Sequence, residues 1–278
     1  MKTFAIRRNA LIWNSRGIAV FPGGLGTINE LLEAWTGAAD HKVACPIVAV
    51  PDDFYKPFID AVEKVAVVGR GTIKASDFNL VLRANNATET VQLLQQSMRP
   101  KALGTQLTLR EKLIYLRHEL GRGLTVSSNL RPAIVLTGSR CSLSISDPEV
   151  QFVSMLSKEL LTATSLGIRL GVSGVINEIV TEAIVGCETI NEDGGGVIQR
   201  MLMTEEMVAE DADAHFESRS AHCASLLNNA KAAIFLPADI STLNILFALV
   251  CEIQTNRRAG IPIILVGSQF WQPILNVS

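Results

Sequence analysis

Residues 21–30 read FPGGLGTINE, from Phe21 to Glu30, and they join a short apolar run to an amphipathic one. The run before them is GIAVF at 17–21, and the run after them continues as INELLEAW. Three of the four residues that follow Pro22 are glycines, at the point where a strand would pass into a helix. This arrangement predicts a tight turn between a strand and a helix.

Two interpretations of this turn follow from its residues. The first amides of a helix lack intrahelical acceptors and carry the positive end of the helix dipole, so phosphate would be stabilised there. Gly23, Gly24 and Gly26 would let an oxyanion approach the backbone, and Thr27 would cap the helix or bind the same anion. Glu30 lies three residues after Thr27, which also fits a capping box. The turn is therefore either an anion site or a plain connection.

The composition limits the class of protein. The chain has 278 residues, of which 48% are hydrophobic and 19% charged, enough for one large domain or two ordinary ones. The net charge of −2 offers no overall attraction for nucleic acid. No apolar stretch approaches the roughly 20 residues that cross a bilayer, so we expect a cytoplasmic protein without a membrane partner. The five cysteines have no metal-site spacing, and we expect reduced thiols and no metal.

Continuous apolar runs alternate with segments of helical periodicity along the chain. The predicted strands are 17–21, 46–50, 133–138, 168–172, 232–236 and 262–267. The predicted helices are 27–36, 54–68, 149–164, 218–229 and 242–254. Apolar runs of this kind are typical of strands that are buried on both faces of a parallel sheet. The alternation predicts an α/β fold with a doubly wound, Rossmann-like parallel sheet.

An internal repeat divides the chain into two related lobes. Alignment of Pro22 with Pro237, a shift of 215, matches residues 14–32 with 229–247, and one inserted residue later Pro46 meets Pro262. We therefore predict a first lobe at 1–98, a connecting helix or linker at 99–130 and a second lobe at 131–278. The first copy has few residues before its strand. We expect it to be the carboxyl half of a doubly wound domain, truncated or completed by a neighbour.

The stretch PGGLGTINE at 22–30 resembles the PGGxGTxxE signature of the LOG family. That family comprises phosphoribohydrolases, among them cytokinin-activating enzymes and nucleotide 5′-monophosphate nucleosidases. Its members carry an Arg-Lys pair before this strand, and here Arg7 and Arg8 occupy that place. The resemblance extends to about residue 96 and, in degenerate form, over 131–278. It implies hydrolysis of the N-glycosidic bond of a nucleoside 5′-monophosphate to free base and ribose 5-phosphate, without metal or cofactor.

The resemblance also implies a role for each matching residue. The 5′-phosphate would bind the turn of Gly23, Gly24 and Gly26 and the hydroxyl of Thr27, and this contact would fix the ribose. Family members are often labelled lysine decarboxylase-like. No lysine stands in a setting that argues for a pyridoxal Schiff base, so we do not adopt that label.

The catalytic roles fall on two residues. Glu30 would stabilise oxocarbenium character at C1′ and orient or deprotonate the attacking water. Arg7 would keep Glu30 ionised and align the substrate. Arg8 replaces the usual lysine and is a weaker candidate, because the two side chains differ in hydrogen-bond geometry. Arg140, after the strand at 133–138, would be either an anion contact or a solvated loop residue.

The second copy lacks these residues. Ala238 and Asp239 stand where the first copy has Gly23 and Gly24, and Ile245 stands in the place of Glu30. An aspartate in a phosphate cradle would repel its ligand, whereas the same aspartate would serve as a helix cap. We expect no chemistry in this copy.

Two function classes remain after this comparison. The first is the hydrolase, with a nucleoside monophosphate as partner and a homo-oligomer or an internal pseudo-dimer as its assembly. The second is a catalytically inactive nucleotide-binding or assembly partner of the same family. The missing amino-terminal half of the first lobe favours the second class. The joint presence of Arg7, the glycines and Glu30 favours the first.

Overall fold

The computed structural model describes residues 11–12, 15–40, 43, 45–98, 132–138, 148–163, 166–172, 198–203, 214–216, 219–237 and 239–276. Three predicted site residues, Arg7, Arg8 and Arg140, lie outside these ranges, as does the connecting segment expected at 99–130. Their roles stay predictions.

The chain divides into two compact units that do not follow the order of the sequence. The first unit takes Met1–Leu120, Leu243–Arg258 and Ser268–Ser278. The second unit takes Gly121–Thr242 and Ala259–Gly267. Two segments from the carboxyl-terminal part of the chain therefore belong to the unit that contains the glycine-rich turn.

A three-stranded parallel sheet forms the centre of the first unit. Its strands are β1 (Ile18–Val20), β2 (Ile47–Ala49) and β3 (Val81–Arg83), in the order β1-β2-β3. Every residue of the middle strand β2 is buried, as expected for an apolar strand that is covered on both faces. The carboxyl ends of all three strands lie at one edge, where α/β sheets bind ligands.

Helices connect and cover these strands. They are α1 (Leu25–Ala39), α2 (Asp52–Val62) with a π-helical continuation (Glu63–Gly69), α3 (Ala75–Phe78) and α4 (Ala87–Ser97). The core of the unit includes Trp35, which is fully buried and donates from Nε1 to the carbonyl of Asp77 at 2.6 Å. This bond satisfies the one polar atom of the indole side chain.

The remaining elements continue the alternation. The strands are β4 (Ala133–Gly138), β5 (Gly167–Val172), β6 (Ile198–Met203), β7 (Ala214–Phe216), β8 (Ala230–Phe235) and β9 (Ile263–Leu265). The helices are α5 (Pro148–Ala163), α6 (Arg219–Leu227), α7 (Ile240–Gln254) and α8 (Ser268–Leu275). All six strands form one parallel sheet of the second unit, in the order β7-β6-β5-β4-β8-β9.

The second unit contains a fully buried arginine in the middle of this sheet. Arg169 in β5 donates from one terminal nitrogen to the carbonyls of Leu226 and Asn228, at 2.9 and 2.5 Å. These carbonyls lie at the carboxyl end of α6, where the helix dipole is negative and backbone acceptors lack helical donors. Burial lowers the pKa of Arg169 to about 10. The side chain therefore stabilises the end of α6 from within the core.

Two helices from the carboxyl-terminal part of the chain complete the first unit. α8 packs against α2 and its π-helical continuation, and it buries Phe270 and Trp271. The ring of Phe247, on α7, meets the ring of Phe58 edge to face, with the centroids 6.0 Å apart. Side chains of α7 and α8 thus contribute to the core of the first unit.

The two halves of the chain share a strand-helix-strand-helix unit with one register. The helices α1 and α7 have 15 residues each and begin 215 positions apart, the shift of the sequence repeat. In the first half the amide of Val50 donates to the carbonyl of Val20 at 3.0 Å. At the aligned positions the amide of Val266 donates to the carbonyl of Phe235 at 2.8 Å. The repeat itself stays a prediction from the sequence.

The structure confirms the α/β doubly wound fold, and strands occupy all six predicted strand segments. The predicted helices are also present, with ends that differ by up to six residues, because α2 gives way to a π-helix at residue 63. The short elements β3, β7 and α3 were missed, since three or four residues carry too little periodicity. The helices α4 and α8 were missed as well.

Two further expectations concern membrane-spanning helices and metal sites. None of the described helices combines the length and apolar character needed to span a bilayer. In the same part of the chain, no group of three or more His, Cys, Asp and Glu side chains is placed to hold a metal ion. Cys45 and Cys223 are half-buried and Cys251 is buried.

Candidate functional site

The glycine-rich turn, residues 22–26, leads from β1 directly into α1. The helix begins at Leu25, and its N-cap residue is Gly24, whose backbone is extended. No side chain caps the helix. The capping role suggested for Thr27 is therefore wrong, because the helix begins two residues before it. A glycine-leucine-glycine start carries no helical pattern, so the sequence placed the start too late.

The start of α1 leaves backbone donors at the helix mouth. The amides of Thr27 and Ile28 both donate to the carbonyl of Gly24, at 2.9 and 3.2 Å. Among the described residues, no backbone carbonyl accepts from the amides of Leu25 and Gly26. These two amides lie at the positive end of the dipole of a 15-residue helix. They are the groups that an anion would bind.

Two glycines of the turn have different steric roles. A Cβ on Gly23 would lie 2.2 Å from the hydroxyl oxygen of Thr27, so only glycine lets that hydroxyl occupy its position. A Cβ on Gly24 would meet nothing within 4 Å. Gly23 therefore positions Thr27, whereas Gly24 borders open space in front of the helix.

A cavity of about 230 Å³ opens at this helix mouth. From the first sequence half it is lined by Gly24, Gly26, Thr27 and Glu30. The structure thus brings four of the predicted site residues together on one cavity. Gly23 is not among the lining residues and acts through Thr27.

The opposite wall of the cavity comes from the end of α7. It consists of Cys251, Gln254 and Thr255, which we call the α7 wall. Cys251 is buried, whereas Gln254 and Thr255 are exposed. Sequence reasoning missed all three, because no motif marks them and only the packing of α7 beside α1 brings them to the cavity.

Polar side chains fix α7 against α1. The buried side chain of Asn29 donates to the side-chain oxygen of Asn244 at 2.9 Å and to its carbonyl at 3.2 Å. Asn244 in turn donates to Glu33 at 2.6 Å. Asn29 and Asn244 lie 215 positions apart, which is the shift of the sequence alignment.

The corresponding turn of the second copy is closed by its own side chain. Asp239 occupies the position of Gly24, and its carboxylate accepts from the amide of Thr242 at 2.8 Å. This is a helix cap, as one of the two interpretations of the sequence expected. Ile245, at the position of Glu30, is buried. In that copy an internal carboxylate already occupies the helix mouth.

Tyr55 anchors the turn of the first copy. This fully buried residue of α2 donates its hydroxyl to the carbonyl of Phe21 at 2.5 Å, one residue before Pro22. Burial raises the pKa of Tyr55 to about 12, from 10.0 in its ordinary state. The folded chain therefore holds this proton more tightly than the unfolded chain.

An alkaline loss of stability follows from the raised pKa of Tyr55. The stabilising effect is fully present below about pH 10 and falls by up to about 2 kcal/mol as the pH rises to about 12. Urea unfolding at pH 8.5 and 11.5 measures the loss, and Tyr55→Phe should lose less stability across this window. An equal loss in both proteins would contradict the assignment.

Comparison with known families identifies the domain. A family model described as "Possible lysine decarboxylase" matches residues 1–94 and 178–278. No curated protein sequence matches the chain. The matched residues make up more than half of the chain and include the glycine-rich turn and the α7 wall. The chain therefore belongs to this family, whose domain is that of the LOG proteins.

Proposed function

We propose that the chain hydrolyses the N-glycosidic bond of a nucleoside 5′-monophosphate and releases the free base and ribose 5-phosphate. The observation that carries the proposal is the uncapped mouth of α1, which opens into a cavity that Glu30 also lines. Family membership supports a phosphoribohydrolase-like activity of this kind. The family description names a decarboxylase, but none of the described cavity residues is a lysine.

The 5′-phosphate would bind at the mouth of α1. The amides of Leu25 and Gly26 would donate to it, and Thr27 lines the same cavity. Hydrogen bonds between backbone amides and a dianion are charge-assisted and hence stronger than neutral ones. The phosphate is not altered in the reaction, so its binding energy serves to position the sugar.

Glu30 would act on the sugar beside the phosphate. It lies one helical turn beyond Thr27 on α1, and both residues line the cavity. Its carboxylate would stabilise positive charge at C1′ and take a proton from the attacking water. The water oxygen then bonds to C1′ as the bond from C1′ to the base nitrogen breaks. The base leaves with that electron pair and takes up the proton that Glu30 accepted, directly or through water. Arg7 would align the substrate.

The repeat suggests one site for each chain. We propose that the two sequence halves form an internal pseudo-dimer, which the contact between Asn29 and Asn244 supports. Only the first copy would bind a monophosphate, because Asp239 caps the second turn. One ligand per chain is therefore the expected stoichiometry.

The reaction is tested by product analysis. Purified chain is incubated with AMP, GMP, CMP or UMP, and free base and ribose 5-phosphate are quantified by chromatography. We expect equal amounts of the two products from at least one nucleotide. The matched nucleoside, which lacks the phosphate, should react at least tenfold more slowly.

Two results would contradict the proposal. Release of inorganic phosphate with an intact nucleoside would show a different reaction. Tight binding of a monophosphate with no product would instead support the inactive, nucleotide-binding member of the family.

A further inference from the structure

We propose that the α7 wall recognises the ribose of the substrate and that Thr255 accepts a hydrogen bond from a sugar hydroxyl. This inference rests on the proposed function and names the part of the substrate that the second sequence half would contact. It starts from the hydrogen bonds of Thr255. Its hydroxyl oxygen lies 2.7 Å from the carbonyl of Cys251 and 3.4 Å from that of Glu252.

These bonds determine whether the Thr255 hydroxyl can donate or accept a hydrogen bond from a ligand. The hydroxyl has one proton and two lone pairs, and its proton is donated to the end of α7. Thr255 lines the cavity, and with its proton used in this way its oxygen can only accept a hydrogen bond from a ligand. Its ligand must supply a donor. Gln254 beside it has an exposed side-chain amide, which offers both an acceptor and donors.

The two walls of the cavity thus have opposite hydrogen-bonding character. The mouth of α1 presents amide donors, whereas the α7 wall and Glu30 present acceptors. A complementary ligand has acceptors at one end and donors at the other. Ribose 5-phosphate has this polarity, because its phosphate oxygens accept and its 2′ and 3′ hydroxyls donate.

The size of the cavity supports the same assignment. Its volume of about 230 Å³ is below the range of about 300–1,000 Å³ that is usual for pockets that enclose drug-sized ligands. A sugar phosphate is therefore a better match than a whole nucleotide, and the base would extend beyond the described walls. Discrimination should be stricter for the sugar than for the base.

The test compares Thr255→Val with the wild-type chain. Valine keeps the shape of threonine and removes the acceptor. Affinities for ribose 5-phosphate and 2-deoxyribose 5-phosphate are measured by titration calorimetry, a readout that does not depend on catalysis. We expect Thr255→Val to bind ribose 5-phosphate about three- to tenfold more weakly, the usual effect of one neutral hydrogen bond. Binding of a deoxy sugar that lacks the relevant hydroxyl should change less than twofold.

The 3-deoxy analogue of ribose 5-phosphate is included because either the 2′ or the 3′ hydroxyl can be the donor.

Thr90→Val is the matched control, since the Thr90 hydroxyl makes the same kind of bond on α4, to the carbonyl of Asn86 at 2.8 Å. This control should leave sugar-phosphate binding unchanged. Gln254→Ala is measured in parallel and should also reduce the preference for ribose.

The outcomes separate this inference from the proposed function. If wild-type chain releases base and Thr255→Val and Gln254→Ala keep the full preference for ribose, the inference is wrong and the function stands. If wild-type chain releases no base but both variants lose the preference, the sugar site stands without the reaction. If the wild-type chain binds no sugar phosphate, both are overturned.

Discussion

Replacement of Glu30 by glutamine is expected to lower the rate of base release at saturating nucleotide by about 10²- to 10⁴-fold, the usual contribution of a positioned acid or base. Glutamine has nearly the same shape as glutamate but no charge, so it can neither stabilise positive charge at C1′ nor take a proton from water. The proposed phosphate contacts would lie on the backbone of the turn and on Thr27. Affinity for ribose 5-phosphate should therefore change by less than about threefold.

Glu33→Gln is the matched control for this variant. Glu33 lies one turn further along α1 and accepts from Asn244, and glutamine retains an oxygen for that bond. Like Glu30→Gln, this control removes one negative charge from α1. Its rate should remain within a few-fold of wild type. Equal losses in the two variants would point to a general charge effect and not to a catalytic carboxylate.

Replacement of Gly24 by aspartate is expected to abolish phosphate binding and leave the fold intact. The substitution copies the second half of the chain, where Asp239 at the aligned position accepts from the amide of Thr242. The new carboxylate would cap α1 and repel the phosphate dianion. Capping residues stabilise a helix relative to glycine by a few tenths of a kcal/mol, so the chain should fold at least as well.

Calorimetric titration with ribose 5-phosphate measures this effect. We expect one site per wild-type chain and at least a hundredfold loss of affinity in Gly24→Asp, about 2.7 kcal/mol. Gly24→Ala is the control, because its Cβ meets no atom within 4 Å and carries no capping oxygen. Two sites per wild-type chain would contradict the assignment of Asp239 as an internal cap. Unchanged affinity in Gly24→Asp would place the anion elsewhere.

The sequence predicted the sheets well because their strands are continuous apolar runs. Segments such as 133–138 are long and fully buried, so burial on both faces determines their residue types directly. The contact between Asn29 and Asn244 joins two positions that the sequence alignment pairs, but the alignment itself did not predict that α7 packs beside α1. The short strand β3 was missed because two of its three side chains are only partly buried and three residues set no period.

The candidate site was predictable only in part. The signature located the turn and Glu30, because the proposed phosphate site depends on residues that are adjacent in the chain. The beginning of α1 at Leu25 was not predictable from helical periodicity, since a helix mouth without a capping side chain has no sequence signal. Gln254 and Thr255 reach the cavity through the packing of α7 on α1, and contacts of this kind leave no local pattern.

The most direct measurement is a crystal structure of Glu30→Gln with bound AMP. The account predicts the phosphate within hydrogen-bond distance of the amides of Leu25 and Gly26, and C1′ facing the side chain at position 30. A phosphate bound away from the mouth of α1, or a side chain at position 30 that does not approach the sugar, would contradict it.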